Sequence, residues 1–113
     1  MNKFHHKNRK DGHSLVNRYV SYLRDVRGLA ENSVLVYTPY VRDLLANQVA
    51  KKGAVSVRAF NASAIRDFLL DHSRGRSGEY VRLMTVALRS FFRFLFFCEE
   101  LPTDLSVIDH LKS

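Results

Sequence analysis

Apolar residues recur along this chain in four runs of helical period, broken by short polar or glycine-bearing stretches. The first run, Ser14 to Arg27, places Leu15, Tyr19, Tyr22, Leu23 and Val26 on one stripe, with Ser14 as its N-cap. Gly28 fits a left-handed stop. The second run extends from Ala30 to about Val49, with Val34, Tyr37, Val41, Leu44, Leu45 and Val49 inward and Lys51-Lys52-Gly53 ending it. Pro39 lies inside this run, where a missing amide predicts a kink or a split. Ala54 to Phe60 is a loop, because the alternating Val55 and Val57 have no partner strand. Asn61 caps a third helix, Ala62 to His72, which turns Ile65, Phe68 and Leu69 inward.

The fourth run, Gly78 to Glu99 behind a Ser77 cap, is the most patterned. Tyr80, Met84, Ala87, Leu88, Phe91, Phe94 and Leu95 make a broad apolar stripe. Arg82, Arg89 and Arg93 are seven and four residues apart and fall on the opposite side. Phe92, Phe96 and Phe97 project away from the centre of the stripe. A short terminal helix, Leu105 to Leu111, covers them, or they dock another domain or subunit. The expected fold class is all-α, a compact bundle of four main helices plus a short C-terminal helix. The organisation divides into a flexible basic arm (1–12), one helical domain (13–104), and a short helix or linker stub (105–113).

Charge adds a partner class. The chain of 113 residues carries a net +7, and 12 of its 18 basic residues are arginine. Arginine binds phosphate through a planar fork, so this balance favours nucleic acid. Between Arg74 and Arg93 there are five arginines and one acid, Glu79, and the segment Ser73-Arg74-Gly75-Arg76-Ser77-Gly78 forms a basic loop ahead of the fourth helix.

Other chemistry is thin. A single cysteine, Cys98, cannot form an internal disulfide and sits on an apolar face as a core thiol, which fits a reducing cytoplasm. No apolar run reaches the ~20 residues of a membrane span, and the N-terminus lacks the apolar region of a secretory signal. His5, His6 and His13 match no zinc spacing, so no metal is expected. Asp67 and Asp71, beside Arg66 and Arg74, read as solvated ion pairs and not as an acid–base pair. No phosphate loop or nucleophile motif occurs, and neither a cofactor nor a small-molecule substrate is expected.

Two segments carry a resemblance. Leu15 to Arg27, followed by Gly28-Leu29-Ala30-Glu31-Asn32-Ser33-Val34 and Tyr37, resembles the opening of phage integrases. Val86-Ala87-Leu88-Arg89-Ser90-Phe91-Phe92-Arg93-Phe94-Leu95 is similar to the segment that closes the same domain. Leu101-Pro102-Thr103-Asp104 stands where that family has a short connection bearing Asn-Pro. The likeness runs from about Leu15 to Leu105 and is to the N-terminal SAM-like, core-binding domain of tyrosine recombinases. Three positions depart from the family: Ala30 where Ser or Thr is usual, Tyr40 where Asp is frequent, and Pro39 within the helix.

The resemblance implies a small helical bundle forming half of a clamp around duplex DNA, with the second and fourth helices facing it. It implies DNA-contacting roles for Asn32 and Ser33 at the start of helix two, Arg42 along it, Arg74, Arg76 and Ser77 before helix four, and Arg82, Arg89 and Arg93 on it. Further implied partners are a catalytic recombinase domain or other recombinase protomers, in a prokaryotic cytoplasm at the nucleoid. Cleavage in that family uses a tyrosine, two arginines, a lysine and histidines on a separate domain, so this chain is expected not to be an enzyme and to have no catalytic residue. His6-Lys7-Asn8-Arg9 imitates one catalytic element by coincidence. Two alternatives stand beside DNA binding: a helical protein–protein module that uses Phe92, Phe96 and Phe97, and a truncated remnant without function.

Overall fold

A computed structural model describes residues 12–107. Four α-helices carry the fold: α1 (His13–Asp25), α2 (Glu31–Lys52), α3 (Ala62–Ser73) and α4 (Gly78–Phe97). Two single 3-10 turns, Val57–Ala59 and Leu105–Val107, complete it, and no strand occurs among the described residues. No helix among them is long and apolar enough to cross a membrane. The chain divides into two compact units at Ser56/Val57. Residues 1–11 of the proposed arm and 108–113 of the expected terminal segment lie outside the described residues; Gly12, the last residue assigned to the arm, is buried and belongs to the start of α1, and of the terminal helix only the turn Leu105–Val107 is described.

In the first unit α1 packs on α2. Leu15, Tyr19, Tyr22 and Leu23 are buried as the period requires, and Val16 joins them. Val26 does not: it is the C-cap of α1 and is 44% exposed, because the helix ends at Asp25 before its last expected turn can pack. Gly12, not Ser14, is the N-cap. Gly12 has φ +77°, and a Cβ there would meet Val55 Cγ2 at 2.9 Å and Leu45 Cδ1 at 3.1 Å, so a glycine is needed on both counts. Gly28 (φ +63°) takes the left-handed stop after α1.

Helix α2 runs unsplit through Pro39 to Lys52, one turn past its expected end, where Gly53 closes it at φ +82°. Pro39 removes the donor to the Leu35 carbonyl, but Pro39 and Leu35 both face solvent, where water can satisfy that oxygen. The inner face is less apolar than its period implies. Thr38 and Gln48 are buried. Thr38 Oγ1 donates to the Val34 carbonyl (2.6 Å), and Gln48 clamps Ser56 at both its carbonyl (2.7 Å) and its amide (2.9 Å).

The second unit is built on α4. Asn61 Oδ1 accepts from the Ala64 amide at 2.9 Å and Ser77 Oγ from the Tyr80 amide at 3.1 Å, so α3 and α4 both start on side-chain caps. Ile65, Phe68 and Leu69 of α3 are buried, as is the α4 stripe from Met84 to Leu95; Tyr80 is half-buried. Phe92 is fully buried, with its ring edge-on to Phe60 at 5.5 Å and tilted against Phe91 at 5.8 Å. It therefore belongs to the core and not to a docking surface. Each such aromatic pair adds about 0.5–1.5 kcal/mol beyond its burial. Cys98 is buried at the end of α4, and the turn Leu105–Val107 packs against that helix.

Candidate nucleic-acid interface

The basic loop of the second unit is ordered by its own backbone and by neighbouring side chains. Arg74 ends α3 in an extended conformation, Gly75 turns at φ +71°, and the Arg76 amide donates back to the Ser73 carbonyl at 3.1 Å. This sequence turns the chain into the Ser77 cap. Arg74 is 81% exposed and lies 3.8 Å from Asp71, a loose solvated pair of the kind expected there. The Arg76 guanidinium sits 4.3 Å from the centroid of the Tyr80 ring, a cation–π contact that restricts where its charge points. While Ser77 Oγ accepts from a backbone amide, its hydroxyl proton stays available to donate to an anionic ligand.

Along α4, Arg82, Arg89 and Arg93 share one face but not one environment. Arg82 is exposed and forked onto Glu79: Nε donates to Oε1 at 3.1 Å and Nη2 to Oε2 at 2.9 Å. These hydrogen bonds hold the Glu79 carboxyl below its ordinary range. Arg89 is half-buried, with its Nε sunk below the surface. Arg93 is exposed, followed on the same side by Phe96 and Phe97, 44% and 49% exposed. Helical spacing thus leads the arginine row into a pair of exposed aromatic rings.

In the first unit, α2 starts from Ala30 without a side-chain cap. The amides of Ser33 and Val34 both donate to the Ala30 carbonyl (3.0 and 3.2 Å), which leaves those of Glu31 and Asn32 ahead of the first intrahelical bonds. Asn32 is exposed and Ser33 half-buried. Glu31 is gripped by Arg24 of α1 through Nε at 2.9 Å and Nη2 at 2.5 Å, an arrangement that lowers the Glu31 pKa and raises that of Arg24. Neither this brace nor the Glu79–Arg82 fork was expected; the signal was a carboxylate seven or three residues from an arginine. Arg42 stands exposed midway along α2. Among the described residues no group of three or more His, Cys, Asp or Glu could hold a metal ion.

The chain matches the family model described as phage integrase, N-terminal SAM-like domain, over residues 16–97. It is also 29% identical over 91 residues to a Sinorhizobium fredii protein assigned the name integrase/recombinase y4rA. That alignment covers 80% of this chain and 22% of the relative, so the chain spans about a fifth of the length of the curated relative it matches. No solved structure matches it at a significant level.

Proposed function

Because this chain belongs to the phage integrase N-terminal SAM-like domain family, we propose that it is a DNA-gripping module acting in site-specific recombination. It holds duplex DNA mainly by phosphate contacts. The carrying observation is the arginine row of α4, Arg82, Arg89 and Arg93, in a chain of net charge +7. Arg74, Arg76 and the Ser77 hydroxyl extend it at the N-terminal end of α4. In the first unit Arg42 supplies charge, and Asn32 and Ser33 lie where a helix start favours an anion. The module binds and does not cut; cleavage belongs to a separate catalytic domain or protomer that works with it at the nucleoid.

The local chemistry ranks these residues. Arg93, Arg42 and the loosely paired Arg74 are the most available cations. Arg82 must exchange the Glu79 carboxylate for a phosphate, and Arg89 is half-buried with its Nε below the surface. Fluorescence anisotropy of labelled duplex against salt tests the proposal. About four to six neutralised phosphates predict a log–log slope near −4 to −5. Arg93→Ala should flatten it by about one, equally on every sequence. An Arg82→Ala/Arg89→Ala/Arg93→Ala variant with an unchanged slope would remove α4 from the interface, and absence of binding at low salt would refute the proposal.

A second reading has its own observation. Phe96 and Phe97 remain exposed at the end of α4 and suit contact with a catalytic domain or another protomer. Sedimentation of wild type against Phe96→Asp separates it from DNA binding.

A further inference from the structure

The outward face of α2 mixes apolar residues, Leu35 and Pro39, with its polar ones. At 100° per residue, Asn32, Leu35, Pro39, Arg42 and Ala46 fall in one narrow strip, and all five are exposed. Leu35, at 63%, is the most exposed large hydrophobic residue among those described. Meanwhile the inner face carries the polar Thr38 and Gln48. The two sides of this helix are therefore less sharply divided than those of α1 and α4. Pro39 adds to the anomaly. It disfavours the helix interior relative to alanine, and it faces solvent, where it makes no core contact.

We propose that this strip reads thymine methyl groups in the DNA major groove, through Leu35 and Pro39. The proposal rests on the DNA-gripping function above and specifies what α2 contributes to it. Three features favour a groove over a protein partner. The strip contains Arg42 and begins at Asn32, the side-chain types that pair bidentately with guanine and adenine edges. Its other members, Pro39 and Ala46, are short, so the helix axis can approach a groove floor. Asp43, exposed on the flank, disfavours phosphate on its own side of the strip, beside Pro39. The acid at its N-terminal end, Glu31, is already neutralised by Arg24. A 22-residue helix is about 33 Å long, and the major groove admits a helix. Thymine is the base that presents a methyl group there.

The experiment compares the full 113-residue chain on three labelled duplexes: alternating adenine–thymine, the same with deoxyuridine for thymine, and alternating guanine–cytosine. Wild type should bind the thymine duplex about fourfold tighter than the deoxyuridine duplex for each methyl buried. Leu35→Ala and Pro39→Ala should each reduce that ratio towards one. Thermal melts check folding, and Leu35→Ala should melt with wild type. Equal wild-type binding to the thymine and deoxyuridine duplexes, with a steep salt slope retained, overturns the thymine inference and leaves DNA gripping intact. Loss on both duplexes alike in both variants overturns it too, as does a concentration-dependent mass that disappears in Leu35→Ala while the two duplexes bind equally. Failure to bind any duplex refutes the gripping function itself.

Discussion

Helices α2 and α4 are the two longest among the described residues and are specified in contrasting ways. Helix α4 follows the core: a serine cap, a fully buried aromatic and aliphatic stripe, and charges kept to the far side. Helix α2 starts without a side-chain cap, carries a proline, buries a threonine and a glutamine, and shows a leucine to solvent. Burial stabilises a helix through one face only, so a helix with two comparable faces has given up part of that stabilisation. The contrast separates a helix divided between a packing face and a charged face from one whose outward strip also carries a leucine and a proline.

The largest effects lie in the core of α4. Phe92→Ala should cost about 3–5 kcal/mol, since the cavity opens among Phe60, Phe91 and the α4 stripe. Phe96→Ala, four residues later and exposed, should stay within about 0.5 kcal/mol. Chemical denaturation of both variants checks this, and similar losses would erase the division between the faces of α4. The next effect has the opposite sign. Pro39→Ala should stabilise α2 by up to about 3 kcal/mol, read as a rise in the denaturation midpoint. If the midpoint fell instead, Pro39 would be a packing residue, and the two helices would differ less than they do here.

Capping sharpens the comparison at about 1 kcal/mol. Ser77→Ala should destabilise by roughly that amount, and Ala30→Ser should stabilise by a similar or smaller one. The uncapped start of α2 is instead held by Arg24 on Glu31. The smallest effects concern the carboxylates. Glu79→Gln should leave the melting temperature nearly unchanged, yet raise affinity for duplex DNA and steepen its salt slope by up to about one, because Arg82 is released. Glu31 and Glu79 both have lowered folded-state pKa values. Their stabilisation is therefore complete above the ordinary carboxylate range and is lost as pH falls through those lowered values. A pH titration of stability should show this loss shrink in a Glu31→Gln/Glu79→Gln variant.

Much of the fold was legible in the sequence because the signals were local. Asn61 and Ser77 cap as expected, and Gly28 and Gly53 take the left-handed stops that their positions require. Where contacts decide, periodicity misled. Val26 continues the α1 stripe in register but lies past the last helical residue. Phe92 sits off the centre of its stripe, yet Phe60 arrives from the preceding segment to bury it. The interface was legible at the level of helix faces: Arg82, Arg89 and Arg93 do share one. Their differing availability was not, because it depends on side-chain rotamers that fork Arg82 onto Glu79 and sink Arg89. Leu35 escaped notice since spacing assigned it to no stripe, and a residue outside the stripe reads as neutral surface until its exposure is known.

Cys98 offers a clock. It is the sole thiol of the chain and has no accessible surface in the folded second unit. An alkylating reagent can reach it only through an opening of that unit, so its modification rate reports how often the α4 core parts. Followed with and without duplex DNA, the same single sulfur would measure how far a bound ligand slows that opening, with no label added to the protein.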